Sequence, residues 1–204
     1  MPQAFTGQQM EEIRQRLFES ACRYAVESGV RKTSMEMLAQ DAGISKSTFY
    51  KFFESKEILF LKVAQHFEQL VIKEMKRMLK KTVGKSSKER TASAVNAAFV
   101  LFAKLGAIRF FSEDLPELAR LVPKDMAEDH LKSMSDKLLD ALEEEQIQFC
   151  VSRETAAAVI NLLYRSIPAI AELDLHIWSI RLTWCSVMWV CVGPPATCLP
   201  SGWR

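Results

Sequence analysis

Residues 33–60 have the sequence TSMEMLAQDAGISKSTFYKFFESKEILF, and this stretch decides the fold of the N-terminal part of the chain. Thr33 and Glu36 have the spacing of a capping box, which would open a short helix ending near Asp41. Glycine at position 43 favours a tight turn, and Ser45 is placed to cap another short helix running to about Phe53. Two short helices joined by a glycine turn predict a helix-turn-helix.

The second of these helices is expected to project cations, an aromatic hydroxyl and short hydroxyls into solvent: Lys46, Ser47, Thr48, Tyr50 and Lys51. Such groups suit phosphate oxygens and base edges in the major groove of DNA. Any helical hairpin has exposed polar residues, so a purely structural role is the competing interpretation. The hydrogen-bond donors gathered at the start of this helix, and Lys56 at the start of the next, favour DNA binding.

The segment GVRKTSMEMLAQDAGISKSTFYKFFESKEIL, residues 29–59, resembles the N-terminal domain of the tetracycline-repressor (TetR) family, and the resemblance extends over about residues 10–65. It implies that residues 45–53 form the recognition helix, with Thr33, Ser34 and Lys56 as phosphate anchors. The full set of expected DNA contacts is Thr33, Ser34, Ser45, Lys46, Ser47, Thr48, Tyr50, Lys51 and Lys56. Phe52 departs from the family pattern, which often has histidine there, so one polar backbone contact is expected to be missing.

The rest of the chain is poor in glycine and proline and repeats apolar residues at helical spacing. It predicts a first helix closed by Gly29 and further helices at 55–81, 87–106, 113–122, 124–146, 153–172 and 174–192, with no strand. The fold class is therefore all-α. We divide the chain into a helix-turn-helix domain (1–54), a helical effector-binding and dimerisation domain (55–192) that begins with the long linking helix 55–81, and a disordered tail (193–204).

Residues 95–172 are rich in aromatic and methionine side chains, which at helical spacing form a core first and line a cavity second. The family resemblance implies an effector pocket in this region. Its candidate residues are Phe99, Phe102, Asn161 and Tyr164.

Composition and motifs exclude several classes of protein. The apolar and charged fractions are those of soluble globular proteins, and the first 90 residues are basic while the remainder is mildly acidic. Five cysteines without a CxxC pair predict neither a disulfide framework nor a zinc site. No signal peptide, membrane span, phosphate loop or nucleophile motif is present, so we expect a cytoplasmic protein that is not an enzyme and has no cofactor or metal.

The end of the chain differs in composition from the rest. No acidic residue follows Asp174, and all four tryptophans lie after it. The family resemblance implies that the last two helices, about 153–192, form a dimer interface, which an apolar tryptophan-rich face would suit. A shifted reading frame that replaced the native end is the alternative explanation.

Together these features predict a transcriptional regulator, a repressor in most such proteins, that binds an inverted-repeat operator as a homodimer and is released by a small-molecule effector. In the expected mechanism, effector tilts the long helix 55–81 and moves the two recognition helices out of register with successive grooves. The alternative is that this helix is a passive strut and that effector disrupts the dimer. Two alternatives stay open: a DNA-binding protein of the same architecture that a protein partner controls, and a helical-bundle enzyme that carries a DNA-binding module.

Overall fold

The computed structural model describes the backbone of residues 5–172 and the side chains of residues 5–162 and Tyr164. This part of the chain is helical and contains no strand, which confirms the all-α class. A π-helical turn, Phe110–Asp114, leads directly into the sixth helix. The helices are α1 (Gly7–Glu27), α2 (Met35–Asp41), α3 (Lys46–Phe49), α4 (Lys56–Lys81), α5 (Ser87–Lys104), α6 (Leu115–Leu121), α7 (Lys124–Glu144) and α8 (Arg153–Glu172).

Serine hydroxyls cap several of the helices. Ser55 caps α4 by accepting the Ile58 N–H at 3.2 Å. Ser86 and Glu89 form a capping box at the start of α5. After α1, Gly29 has a φ of +84°, the left-handed conformation that ends a helix at little cost only for glycine.

The predicted capping box between Thr33 and Glu36 is wrong. Ser34, one residue later, caps α2 by accepting the Met37 N–H at 3.2 Å. The Thr33 hydroxyl instead donates to the Gly29 carbonyl oxygen at 2.8 Å, because the turn before α2 folds this side chain inward.

The recognition helix is shorter than predicted. Its α-helical part, α3, has four residues, and the chain then continues in tighter turns in which the Phe52 N–H donates to the Phe49 carbonyl oxygen at 2.9 Å. Both Phe49 and Phe53 are buried, and bringing Phe53 into the core turns the chain toward the start of α4.

Among the described residues, two apolar clusters form the core, and α4 contributes to both. The first cluster joins α1, α2 and α3 to the N-terminal half of α4 and to residues 107–122, and it includes Leu17, Phe49, Phe60 and Phe110. The second joins the C-terminal half of α4 to α5, α7 and α8. The domain boundary after residue 54 stays a prediction. Apolar contacts cross it, since Phe60 and Phe110 belong to the same cluster as Leu17.

The predicted helix 174–192, the tail 193–204 and the tryptophan-rich part of the predicted dimer interface lie outside the described residues. Among the helices that the structure does describe, none is long and apolar enough to span a bilayer.

Candidate nucleic-acid interface

Helices α2 and α3 meet through small and apolar side chains. Leu38 and Ala39 on α2 and Phe49 on α3 are at most 1% exposed. The turn between the helices passes through Gly43, whose φ of +71° lies in the left-handed region that favours glycine. This packing fixes the direction in which α3 presents its remaining side chains.

The other side of α3 is open to solvent. Tyr50 is 51% exposed, and its ring packs edge-on against the buried ring of Phe49, with the ring centroids 6.0 Å apart. Thr48 is half-buried. The exposed side chains that share this surface with Tyr50 are Ser45, Lys46, Ser47 and Lys51. Cations, hydroxyls and one aromatic ring at a single helix end are the groups that contact phosphates and base edges.

Three hydroxyls gather where α3 begins. Ser45 Oγ lies 2.9 Å from Ser47 Oγ and 2.8 Å from Thr48 Oγ1. Ser45 also caps the helix by accepting the Thr48 N–H at 3.3 Å. Because a hydroxyl both donates and accepts, this group keeps hydrogen-bonding capacity for a phosphate or a base edge.

Lys46 forms an ion pair with Glu36, with Nζ 2.6 Å from Oε1. The hydrogen bond from Lys46 lowers the pKa of Glu36 to about 2, and Glu36 in turn raises the pKa of Lys46. The side chains are about half exposed, so water and salt screen the attraction. Glu36 therefore competes with any DNA phosphate for Lys46.

The three predicted phosphate anchors hold the turn between α1 and α2. Lys56 Nζ donates to the carbonyl oxygens of Val30 at 3.0 Å and Thr33 at 2.7 Å. Thr33 is 1% exposed, so its hydroxyl does not reach the surface. Ser34 caps α2 and is half-buried. A phosphate contact by Ser34 or Lys56 stays a prediction, and one by the Thr33 side chain requires the turn to open.

Sequence reasoning missed Asp41, which ties α2 to α1. Its Oδ2 accepts from Ser20 Oγ at 2.5 Å and pairs with the guanidinium of Arg23. The hydrogen bond from Ser20 is the largest cause that lowers the pKa of Asp41. These partners stand about twenty positions away in the chain, and no local spacing predicts such a contact.

Three of the four predicted effector-pocket residues pack against the second apolar cluster, and the fourth lines a groove. Phe102 and Tyr164 both contact Phe111, with ring centroids 4.7 Å and 6.3 Å from it. Phe99, half-buried, packs against the second apolar cluster, as do Phe102 and Tyr164. Asn161 instead lines an open groove between α7 and α8, and its Oδ1 is buried without a hydrogen-bond partner among the described residues.

A buried polar group next to these aromatic rings was not predicted. Tyr164 Oη donates to Glu68 Oε1 at 2.5 Å, and His130 Nε2 lies 3.2 Å from the same oxygen. Burial raises the pKa of Tyr164 well above its ordinary value, so its hydroxyl is protonated and donates. His130 is buried, with 6% of its surface exposed.

Residues 17–63 match the model of the tetR family of bacterial regulatory proteins. YerO of Bacillus subtilis strain 168, described as an uncharacterised HTH-type transcriptional regulator, is 30% identical over 90 residues. The aligned region covers 44% of this chain and 31% of YerO, so the chain spans about a third of the length of that relative.

Two solved structures, one of them described as a TetR-family repressor, have a fold similar to that of this chain. RolR in complex with resorcinol superposes with a TM-score of 0.62 and 19% identity, covering 95% of this chain and 94% of RolR. The repressor AlkX from Dietzia sp. strain DQ12-45-1b, implicated in n-alkane biodegradation, has a TM-score of 0.59 and 16% identity, covering 88% of this chain and 96% of AlkX.

Proposed function

We propose that this chain, whose residues 17–63 match the model of the tetR family of bacterial regulatory proteins, is a DNA-binding transcriptional regulator. The surface that contacts the operator is the solvent-exposed side of residues 45–51. The observation that carries this proposal is the exposed group of Tyr50, Lys46, Lys51 and serine hydroxyls on a hairpin whose underside is fully buried. A rigid support of this kind keeps the contacting side chains in register with a groove.

We propose further that the protein binds DNA as a homodimer. One short recognition helix reads only a few base pairs, so two copies related by a two-fold axis are needed to find one site. The exposed side of α8 supports this proposal, because Leu162 is 68% exposed and Ala158, one turn earlier, is exposed as well. An exposed leucine at helical spacing from a small residue suits a helix–helix interface.

The regulator acts as a repressor that a small-molecule effector releases from its operator. The supporting observation is the aromatic group of Phe102, Phe111 and Tyr164, which adjoins the buried polar atoms of Glu68 and His130. Apolar walls with a few placed polar groups are typical of ligand sites. An apolar molecule that carries a hydroxyl group fits this chemistry, and resorcinol, the ligand in the RolR complex, is a first probe.

Replacing Lys51 tests the DNA interface. Lys51→Ala should weaken operator binding and reduce the slope of log affinity against log salt by about 0.9, the value for one lost phosphate contact. Lys62→Ala is the matched control, because Lys62 is also an exposed lysine but belongs to α4 and not to residues 45–51. Equal slopes for the two variants would remove residues 45–51 from the DNA interface.

Replacing Leu162 tests the dimer. Leu162→Glu should raise the dimer dissociation constant at least about tenfold, because it places a charge in an apolar contact. Val83→Glu is the control, since Val83 is 72% exposed in the turn after α4. Sedimentation at micromolar concentration measures both variants. A dimer that tolerates Leu162→Glu as well as Val83→Glu would rule out this face of α8.

A further inference from the structure

The π-helical turn Phe110–Asp114 contacts both the turn that begins the helix-turn-helix and the aromatic side chains of the proposed effector site. We infer that this turn couples the two sites, with Asp114 as the positioning residue for the helix-turn-helix. The inference rests on the proposed function and specifies how its effector would act. A π-helical turn inside an α-helix is rare and is found most often at functional sites.

Val30, which precedes α2 by a few residues, is held from two sides. Its N–H donates to Asp114 Oδ1 at 3.2 Å, and its carbonyl oxygen accepts from Lys56 Nζ at 3.0 Å. Asp114 comes from the π-helical turn and Lys56 from the start of α4. The position of the turn before α2 therefore depends on a residue 84 positions further along the chain.

These segments approach so closely at position 29 that a side chain there would require the Arg109 guanidinium to move. A Cβ added to Gly29 would lie 2.5 Å from Arg109 Nη1 and 3.0 Å from Asp114 Oδ2. Arg109 also pairs with Asp114 at 3.7 Å and donates to the Ala25 carbonyl oxygen at 3.5 Å. The contact thus joins the end of α1 and the turn after it to the π-helical turn.

The carboxylate of Asp114 is buried and only partly hydrogen-bonded, so its contact with the Val30 N–H is easily broken. Asp114 is 5% exposed, and its Oδ2 has no hydrogen-bond partner in the described part of the chain. Burial raises the pKa of this carboxyl group. A buried charge that keeps only part of its hydrogen bonds is stabilised less than one that is fully paired.

The opposite side of the π-helical turn faces the proposed effector site. Phe111 contacts Phe102 on α5 and Tyr164 on α8, with ring centroids 4.7 Å and 6.3 Å away. Because Asp114 follows Phe111 by three residues in one helical turn, a ligand that displaces the Phe111 ring shifts the carboxylate on Val30. Packed side chains of this kind switch between discrete arrangements.

Amide hydrogen exchange and operator affinity test the coupling in the full chain. Asp114→Ala removes the acceptor for the Val30 N–H, so that amide should exchange about tenfold faster. Operator affinity should fall severalfold with an unchanged salt slope, because no phosphate contact is lost. Asp114→Asn keeps an oxygen acceptor and the shape of the side chain, and should restore most of the protection. Glu113→Ala, an exposed neighbour in the same turn, is the matched control and should change neither measurement.

Phe102→Leu tests the link to the effector site. It loosens the packing on Phe111 and should speed exchange at Val30, whereas Val100→Ala, at an exposed position of the same helix, should not. Unchanged exchange at Val30 in Asp114→Ala or in Phe102→Leu would overturn the coupling. So would an equal loss of operator affinity in Glu113→Ala. If the wild-type chain prefers no DNA sequence, the proposed function fails and the inference fails with it; specific binding that Asp114→Ala leaves intact overturns the inference alone.

Discussion

The helix-turn-helix and the helical region behind it are built by different kinds of contact. The hydrogen bonds that begin α2 and α3 join near neighbours, since Ser34 accepts the Met37 N–H and Ser45 accepts the Thr48 N–H. In the second region the buried bond from Tyr164 reaches Glu68, 96 positions away. The side chains of the proposed recognition surface, residues 45–51, therefore come from one short segment, whereas the proposed effector site exists only once distant helices have packed.

The largest expected effect comes from the apolar core that crosses the two regions. Phe60 is fully buried on α4, so Phe60→Ala should lower the free energy of unfolding by about 3–5 kcal/mol. Leu139→Ala, at a fully buried position of the second cluster, should cost about 2–5 kcal/mol. Because α4 belongs to both clusters, each variant should shift one common transition in denaturant titrations. Two separate transitions, each moved by one variant only, would show that the regions fold independently.

The next effect concerns the buried hydroxyl of Tyr164. Tyr164→Phe leaves Glu68 without its phenolic donor and should cost about 1–3 kcal/mol of stability. Tyr50→Phe is the matched control, because the exposed hydroxyl of Tyr50 is hydrated in both the folded and the unfolded chain and should matter little to folding. Thermal or denaturant unfolding measures both. A similar, small change in the two variants would mean that the contact with Glu68 contributes nothing to the second region.

The local structure of the proposed recognition surface was predictable from sequence because its determinants lie within one short segment. Gly43, the cap by Ser45 and the exposed residues from Lys46 to Lys51 all follow from local spacing. The cap of α2 was misplaced by one residue, since Thr33 and Ser34 are both good capping residues and only the inward turn decides between them. Neither Asp114 nor Glu68 was found, because their partners Val30 and Tyr164 are fixed by tertiary packing and not by local sequence.

The smallest effect concerns the ion pair that holds Lys46. Glu36→Gln frees Lys46 for phosphate and should tighten operator binding about twofold to fivefold, as expected for an exposed pair. Glu54→Gln removes the same charge from another exposed position and is the control. Affinity that rises equally in both variants would indicate a general charge effect instead of release of Lys46.

The same pair gives a prediction for acid stability. The native pKa of Glu36, about 2, is lowered from 4.5 by its partner. Its stabilising contribution is therefore present above about pH 4.5 and is lost as the pH falls toward 2. Between those pH values, Glu36→Gln should lose slightly less stability than the wild-type chain. An unchanged acid-unfolding profile would show that salt and water screen the pair completely.

Selection of binding sites from a random pool of DNA duplexes tests the central claim most directly. The wild-type chain should select an inverted repeat whose half-sites are spaced by about one helical turn, ~34–36 Å, or a multiple of it. Tyr50→Ala should change the preferred bases within each half-site and keep that spacing. Selection of no common sequence by the wild-type chain, or of the same bases by Tyr50→Ala, would contradict a recognition surface formed by residues 45–51.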